Sequence, residues 1–155
     1  MSATREEVVA AIGAARQELD RVVSSAAEDV WARPAYEVWT AKQLLCHVAA
    51  TSGVAGFLLA MARNPGASFG GGLDQDELNA QQVAVRESKA IAEIADEARG
   101  QLERDVERVL AAPDELLAAS YRAPWGYEGP LVDVIVDSLR DHLMTHLRDL
   151  AVAVA

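Results

Sequence analysis

Residues 130–150 read "PLVDVIVDSLRDHLMTHLRDL". Pro130 suits the first position of a helix, because its missing N–H is unpaired there anyway. Leu131, Ile135, Leu139, His142, Leu143, His146, Leu147 and Leu150 then recur at helical spacing. The segment is therefore an amphipathic helix, and two of the chain's three histidines stand on its apolar stripe. Helix residues i and i+4 project from one face about 5–6 Å apart. His142 and His146 have the spacing that lets two imidazoles reach one ion. Asp141 lies about 100° around the helix from His142 and is no obvious third ligand.

Three further helices precede this one. Thr4 and Glu7 form a capping box, and Val8, Ile12, Ala15, Leu19, Val22 and Val23 follow until the pattern fades near Ser24 and Ser25. Residues 26–39 form a connector, since Arg33 before Pro34 disfavours helix. Thr40 and Gln43 cap a second helix, whose face holds Leu44, His47, Val48, Thr51, Val54, Leu58 and Met61. "RNPGASFGGG" ends it, with Pro65 and four glycines in residues 63–72. A third helix runs from the Asp74–Glu77 cap toward Pro113. Its roughly 36 residues would span about 54 Å, so the spacing predicts a bend near Ser88 or Gly100, or a break into two segments. A second connector, with Trp125 and Tyr127 at a turn, leads to the fourth helix. Four amphipathic helices without a strand signal predict an all-α four-helix bundle formed by one domain over residues 1–155.

Composition narrows the function. Aromatics are only 5% of the chain, and Ala and Val dominate, which favours helices packed through small residues. A net charge of −10 disfavours nucleic acid and anionic membrane surfaces as partners. No uninterrupted apolar run reaches the roughly 18 residues of a membrane helix. Glu6 and Glu7 stand where a signal peptide needs a basic start, so the expected compartment is the cytoplasm. The single cysteine, Cys46, excludes an internal disulfide and a multi-thiolate zinc site. Cys46 is about 100° around the helix from His47 and reads as a buried structural thiol.

His47 falls on the apolar stripe of the second helix, so all three histidines are expected to face inward. Burying an imidazole without a partner costs roughly 1–3 kcal/mol. Three neutral imidazoles sharing one ion, with coordination positions left open, have the composition of a catalytic metal site. The competing reading is three core-edge histidines bonded to backbone or to carboxylates such as Asp141 and Asp149. Arg140 and Arg148 point to other faces and read as surface residues. Glu103, Asp105 and Glu107 read as a solvated face. Trp39, Trp125 and Tyr127 sit at helix ends or turns, where they pack the ends or wall a pocket mouth.

A family resemblance follows from these segments. "EVWTAKQLLCHVAA" (37–50) resembles the W-T/S-x-K/R-x-x-x-x-H segment of the DinB-like metalloenzyme superfamily. "APWGYEGPLVDVIVDSLRDHLMTHLRDL" (123–150) resembles that superfamily's closing segment with its paired ligands. "LNAQQVAVRESKAIAEI" (78–94) is similar to the middle helix of members described as mycothiol-dependent maleylpyruvate isomerase-like, and of DfsB-like bundles. The resemblance implies a DinB-type bundle whose connectivity is not simple up-down-up-down. It implies that His47, His142 and His146 match the three metal positions, with zinc or nickel as the ion. It also implies a thiol-dependent S-transferase or isomerase using mycothiol, bacillithiol or glutathione. The chain departs from the isomerase pattern at His142, where that type has a glutamate, and it stops at Ala155 without that type's C-terminal domain. The all-histidine set is more similar to DinB proper.

Such an ion can lower the pKa of a bound thiol or of bound water, so thiol transfer and hydrolysis both remain open from the residues alone. The implied partners are a small-molecule electrophile and a thiol. A non-catalytic small-molecule binding or resistance protein is the alternative, and a homodimer is compatible with each.

Overall fold

Residues 2–66 and 74–155 are described by a computed structural model. Helix α1 (Arg5–Ser25) starts at the expected box, in which Thr4 Oγ1 accepts from Glu7 N–H at 3.2 Å and Glu7 Oε2 accepts from Thr4 N–H at 2.9 Å. The connector after it is more structured than the sequence indicates. It holds a 3₁₀ turn (Glu28–Ala32) and an antiparallel hairpin of β1 (Pro34–Tyr36) and β2 (Trp39–Thr40). Thr40 and Gln43 then cap α2 (Ala41–Thr51) reciprocally, at 3.2 and 3.0 Å.

The second helix is not continuous. Thr51 and Ser52 hydroxyls donate back to the carbonyls of His47 and Val48 at 2.9 and 2.6 Å. Such bonds bend helices, and after Gly53 the chain restarts as α3 (Val54–Arg63). The whole stretch Ala41–Arg63 is long and apolar enough for a membrane span, which amends the expectation from sequence. It is nonetheless core, with 61% of its most apolar part buried inside the fold. The glycines at 70–72, which were expected to help stop this helix, lie outside the described residues.

The long third helix is broken, as its length demanded. The break lies between α4 (Gln75–Ala84) and α5 (Ile91–Ala111), around Ser88, whereas Gly100 sits inside an uninterrupted α5. Arg86 in the turn pairs with Glu97 at 2.8 Å and ties the two helices together. After α5 come a short α6 (Asp114–Ala118) and a second hairpin, β3 (Ser120–Arg122) with β4 (Glu128–Pro130). The expectation of no strands is thus corrected by two hairpins, both too short to show alternation. Pro130 caps the fourth helix instead of opening it.

That fourth helix runs as α7 (Leu131–Asp137), a π-helical turn (Ser138–Leu143) and α8 (Met144–Val154). The sequence explains the wide turn. Leu131, Ile135, Leu139, Leu143 and Leu147 are spaced by four residues and all buried. In a regular helix each four-residue step would rotate the stripe by about 40°. The π turn absorbs that drift and keeps both halves facing the core.

Packing fixes the layout. Helix α1 lies against α5, α7 and α8, while α2 lies against α5 and α8. The first two long helices therefore face each other across the diagonal, which a simple up-and-down bundle would not allow. The fold is a four-helix bundle with α2 and α8 adjacent, and that adjacency brings His47 to the paired histidines.

Candidate metal centre

His47 stands in the middle of α2, His142 in the π turn and His146 in the first turn of α8. Their ring centroids are 4.8 Å (His47–His146), 4.7 Å (His142–His146) and 5.8 Å (His47–His142) apart. One nitrogen from each lies within 4.8 Å of the others. Residues nearly one hundred positions apart in sequence thus form one cluster.

The three are not equivalent. His47 and His146 are 3% and 7% exposed. His142 was expected to be buried with them, and it is solvent-exposed instead. The reason is its position on the π turn, where it faces a cavity of about 640 Å³ that His47 also lines. His146 lies behind, covered by the first hairpin. Tyr36 packs edge-on against it at 5.0 Å, and Trp39 lies 4.9 Å from His47. This hairpin packs on α2 and α8 and holds two of the rings from the side away from the cavity.

Electrostatics keeps the cluster neutral. Burial, then the neighbouring His146 and His142, pushes the His47 pKa down to about 3. Desolvation lowers His142 as well. Desolvation and then His142 lower His146, against a small opposing pull from Asp149. At neutral pH each ring therefore offers a lone pair.

The buried Nδ1 atoms of His47 and His146 have no hydrogen-bond partner among the described residues. Asp149 Oδ2 lies 3.9 Å from His146 Nδ1, too far to satisfy it. An unpaired buried nitrogen costs about 1–3 kcal/mol, and the cluster carries two. Neutral, incompletely satisfied imidazoles fit a borderline divalent cation, and they account poorly for a set of hydrogen-bonded core histidines.

The cavity walls explain several aromatics. Trp125 and Tyr127 line it from the second hairpin loop, and Phe57 joins them from α3. Their role at the cavity wall is thus larger than helix-end packing. Trp125 Nε1 donates to Ser138 Oγ at 3.1 Å, anchoring the loop to the π turn. Gly126, at φ +105°, supplies the left-handed residue that this loop needs. Sequence reasoning missed Phe57 and the amides Gln75, Asn79, Gln82 and Gln101. The legible signal for the first three amides is the i, i+4, i+7 spacing of uncharged polar residues on α4.

No protein nucleophile is evident among the described lining residues. The hydroxyls of Thr51 and Ser138 are engaged with backbone carbonyls. Cys46 is buried outside the cavity, and burial pushes its thiol up to about 11. Arg140 and Arg148 are exposed, as expected. Asp105 is not. It is buried beneath α3, which corrects its assignment to a solvated face. The described lining residues therefore leave the nucleophile to an entering ligand.

Two solved structures share this fold. One is a histidine-to-alanine variant of the mycothiol-dependent maleylpyruvate isomerase, with a TM-score of 0.71 and 15% identity. The other is the mycothiol-dependent maleylpyruvate isomerase itself, with a TM-score of 0.63 and 17% identity. Both alignments cover 99% of this chain, and this chain spans 61% of each of those. At these identities the likeness is one of fold. No curated protein matches the chain. The DinB superfamily matches residues 11–150, a range that includes all three histidines. The chain belongs to the DinB superfamily.

Proposed function

We propose that the protein is a divalent-metal-dependent thiol S-transferase or isomerase, with zinc or nickel held by His47, His142 and His146. One observation supports this above the others: three neutral imidazoles converge at the wall of a cavity large enough for a small molecule. A divalent ion bound there supplies a Lewis acid that lowers the pKa of an incoming thiol. The fold likeness to a mycothiol-dependent isomerase favours a mycothiol-type thiol over water as the nucleophile.

The chain's own residues do the rest. Tyr36 and Trp39 fix the His146 and His47 rings from behind. Phe57 and Trp125, stacked on each other, form the aromatic part of the cavity wall. The thiolate sulfur bonds to an electrophilic carbon. Displacement of a leaving group then completes transfer, and expulsion of the same sulfur after rotation completes isomerisation.

The test is conjugation of a low-molecular-weight thiol to 1-chloro-2,4-dinitrobenzene by zinc- or nickel-loaded protein. The expected result is a rate that falls to the uncatalysed level on chelation and in His142→Ala. Equal rates with loaded, chelated and His142→Ala protein would sink the proposal.

A further inference from the structure

The cavity wall is polar without being charged. Apart from the imidazoles, the described residues lining it carry only apolar, hydroxyl or amide side chains.

The amides are placed on the cavity side of their helices. Gln75, Asn79 and Gln82 share one face of α4 and line the cavity, and Gln101 joins them from α5. Gln75 Nε2 donates to Asn79 Oδ1 at 3.0 Å, so the row begins as a linked pair. Asp76 and Glu77 of the same helix are exposed and outside the lining. Across the cavity, the Phe57 and Trp125 rings stack at 6.0 Å and 28°.

Two carboxylates lie near Tyr127 of the cavity wall. The tyrosine has its pKa raised by burial and then by the charges of Asp141 and Asp137. The chain as a whole carries −10. Among the described lining residues an entering carboxylate would meet no lysine or arginine in exchange for its water, a costly transfer; Arg86, which donates to Gln82 Oε1 at 2.9 Å, is already paired with Glu97. A neutral amide or hydroxyl would find donors and acceptors in the carboxamide row.

We propose that the cavity wall selects an uncharged ligand, with amide or hydroxyl groups toward Gln75, Asn79, Gln82 and Gln101. The described wall offers a dianionic keto acid no cationic side chain, so without an ion it should hold such an acid poorly. This inference rests on the proposed function only where the ligand is taken as a substrate. The selectivity belongs to the cavity wall.

The experiment uses chelated full-length protein, so that no ion can hold a carboxylate. Binding of 2-naphthamide and 2-naphthoate is followed by tryptophan fluorescence. The amide is expected to bind at least about tenfold more tightly. Gln101→Lys, and independently Asn79→Lys, should close most of that gap by giving the carboxylate a partner. Val152→Lys adds the same charge at a position 80% exposed on α8 and should leave the preference intact. Circular dichroism checks that each variant folds, and the unmodified chain alone decides the first comparison. Equal or tighter binding of naphthoate, or binding of neither probe, would overturn the proposal. A chain that never retains metal would defeat the proposed function and leave this result standing.

Discussion

Asp105 is a carboxylate with 0% of its surface exposed. Its Oδ1 accepts from Arg108 at 2.9 Å, and its Oδ2 has no hydrogen-bond partner among the described residues. Burial raises its pKa, with the Gly56 backbone amide and Arg108 opposing the rise. A carboxyl held above its unfolded pKa contributes stability that is full below the unfolded value of 3.8 and is lost as pH rises through the folded value. At neutral pH the buried charge therefore costs stability. Asp105→Asn should melt above the parent at pH 7, with the difference vanishing near pH 3. A lower melting temperature at pH 7 would show that ionised Asp105 stabilises the fold. The sequence offered a signal here, since Asp105 stands three residues after Leu102 and four before Val109 on the buried stripe. The acids at 103 and 107 disguised it, and its partner Gly56 lies on a different helix.

At the scale of elements, the capping boxes at Thr4 and Thr40 were legible because each needs only four consecutive residues. The two hairpins were not, because strands of two or three residues carry no alternation to read. The π turn left a trace in the run of four-residue steps from Leu131 to Leu147. The glycines separate helix propensity from packing. A Cβ at Gly13 in α1 would meet nothing within 4 Å, so Gly13→Ala should stabilise by about 0.5–1 kcal/mol. A Cβ at Gly56 in α3 would lie 2.5 Å from Asp105 Oδ1 and 2.8 Å from an Arg108 nitrogen. Gly56→Ala should therefore destabilise by about 1–3 kcal/mol, despite the same gain in propensity. Urea melts of the two variants check this, and shifts of the same sign would refute the packing of α3 on α5 described here.

For the whole molecule, helical spacing was enough to read the bundle and to place three histidines on apolar faces. It could not say that His142 would open onto a cavity, because that depends on the tilt of α3 after Gly53 and on the placement of α4. Nor could it show the amide row facing the histidines, since α4 and the closing helix are separated by the whole of α5. The central claim is that the three imidazoles hold one divalent ion. It is tested most directly by metal analysis of freshly purified protein from cells supplied with zinc and nickel. The account predicts about one ion per chain, falling to near zero in His47→Ala and in His146→Ala while circular dichroism still shows folded helix. Metal-free parent protein, or variants that keep the parent's metal content, would contradict it.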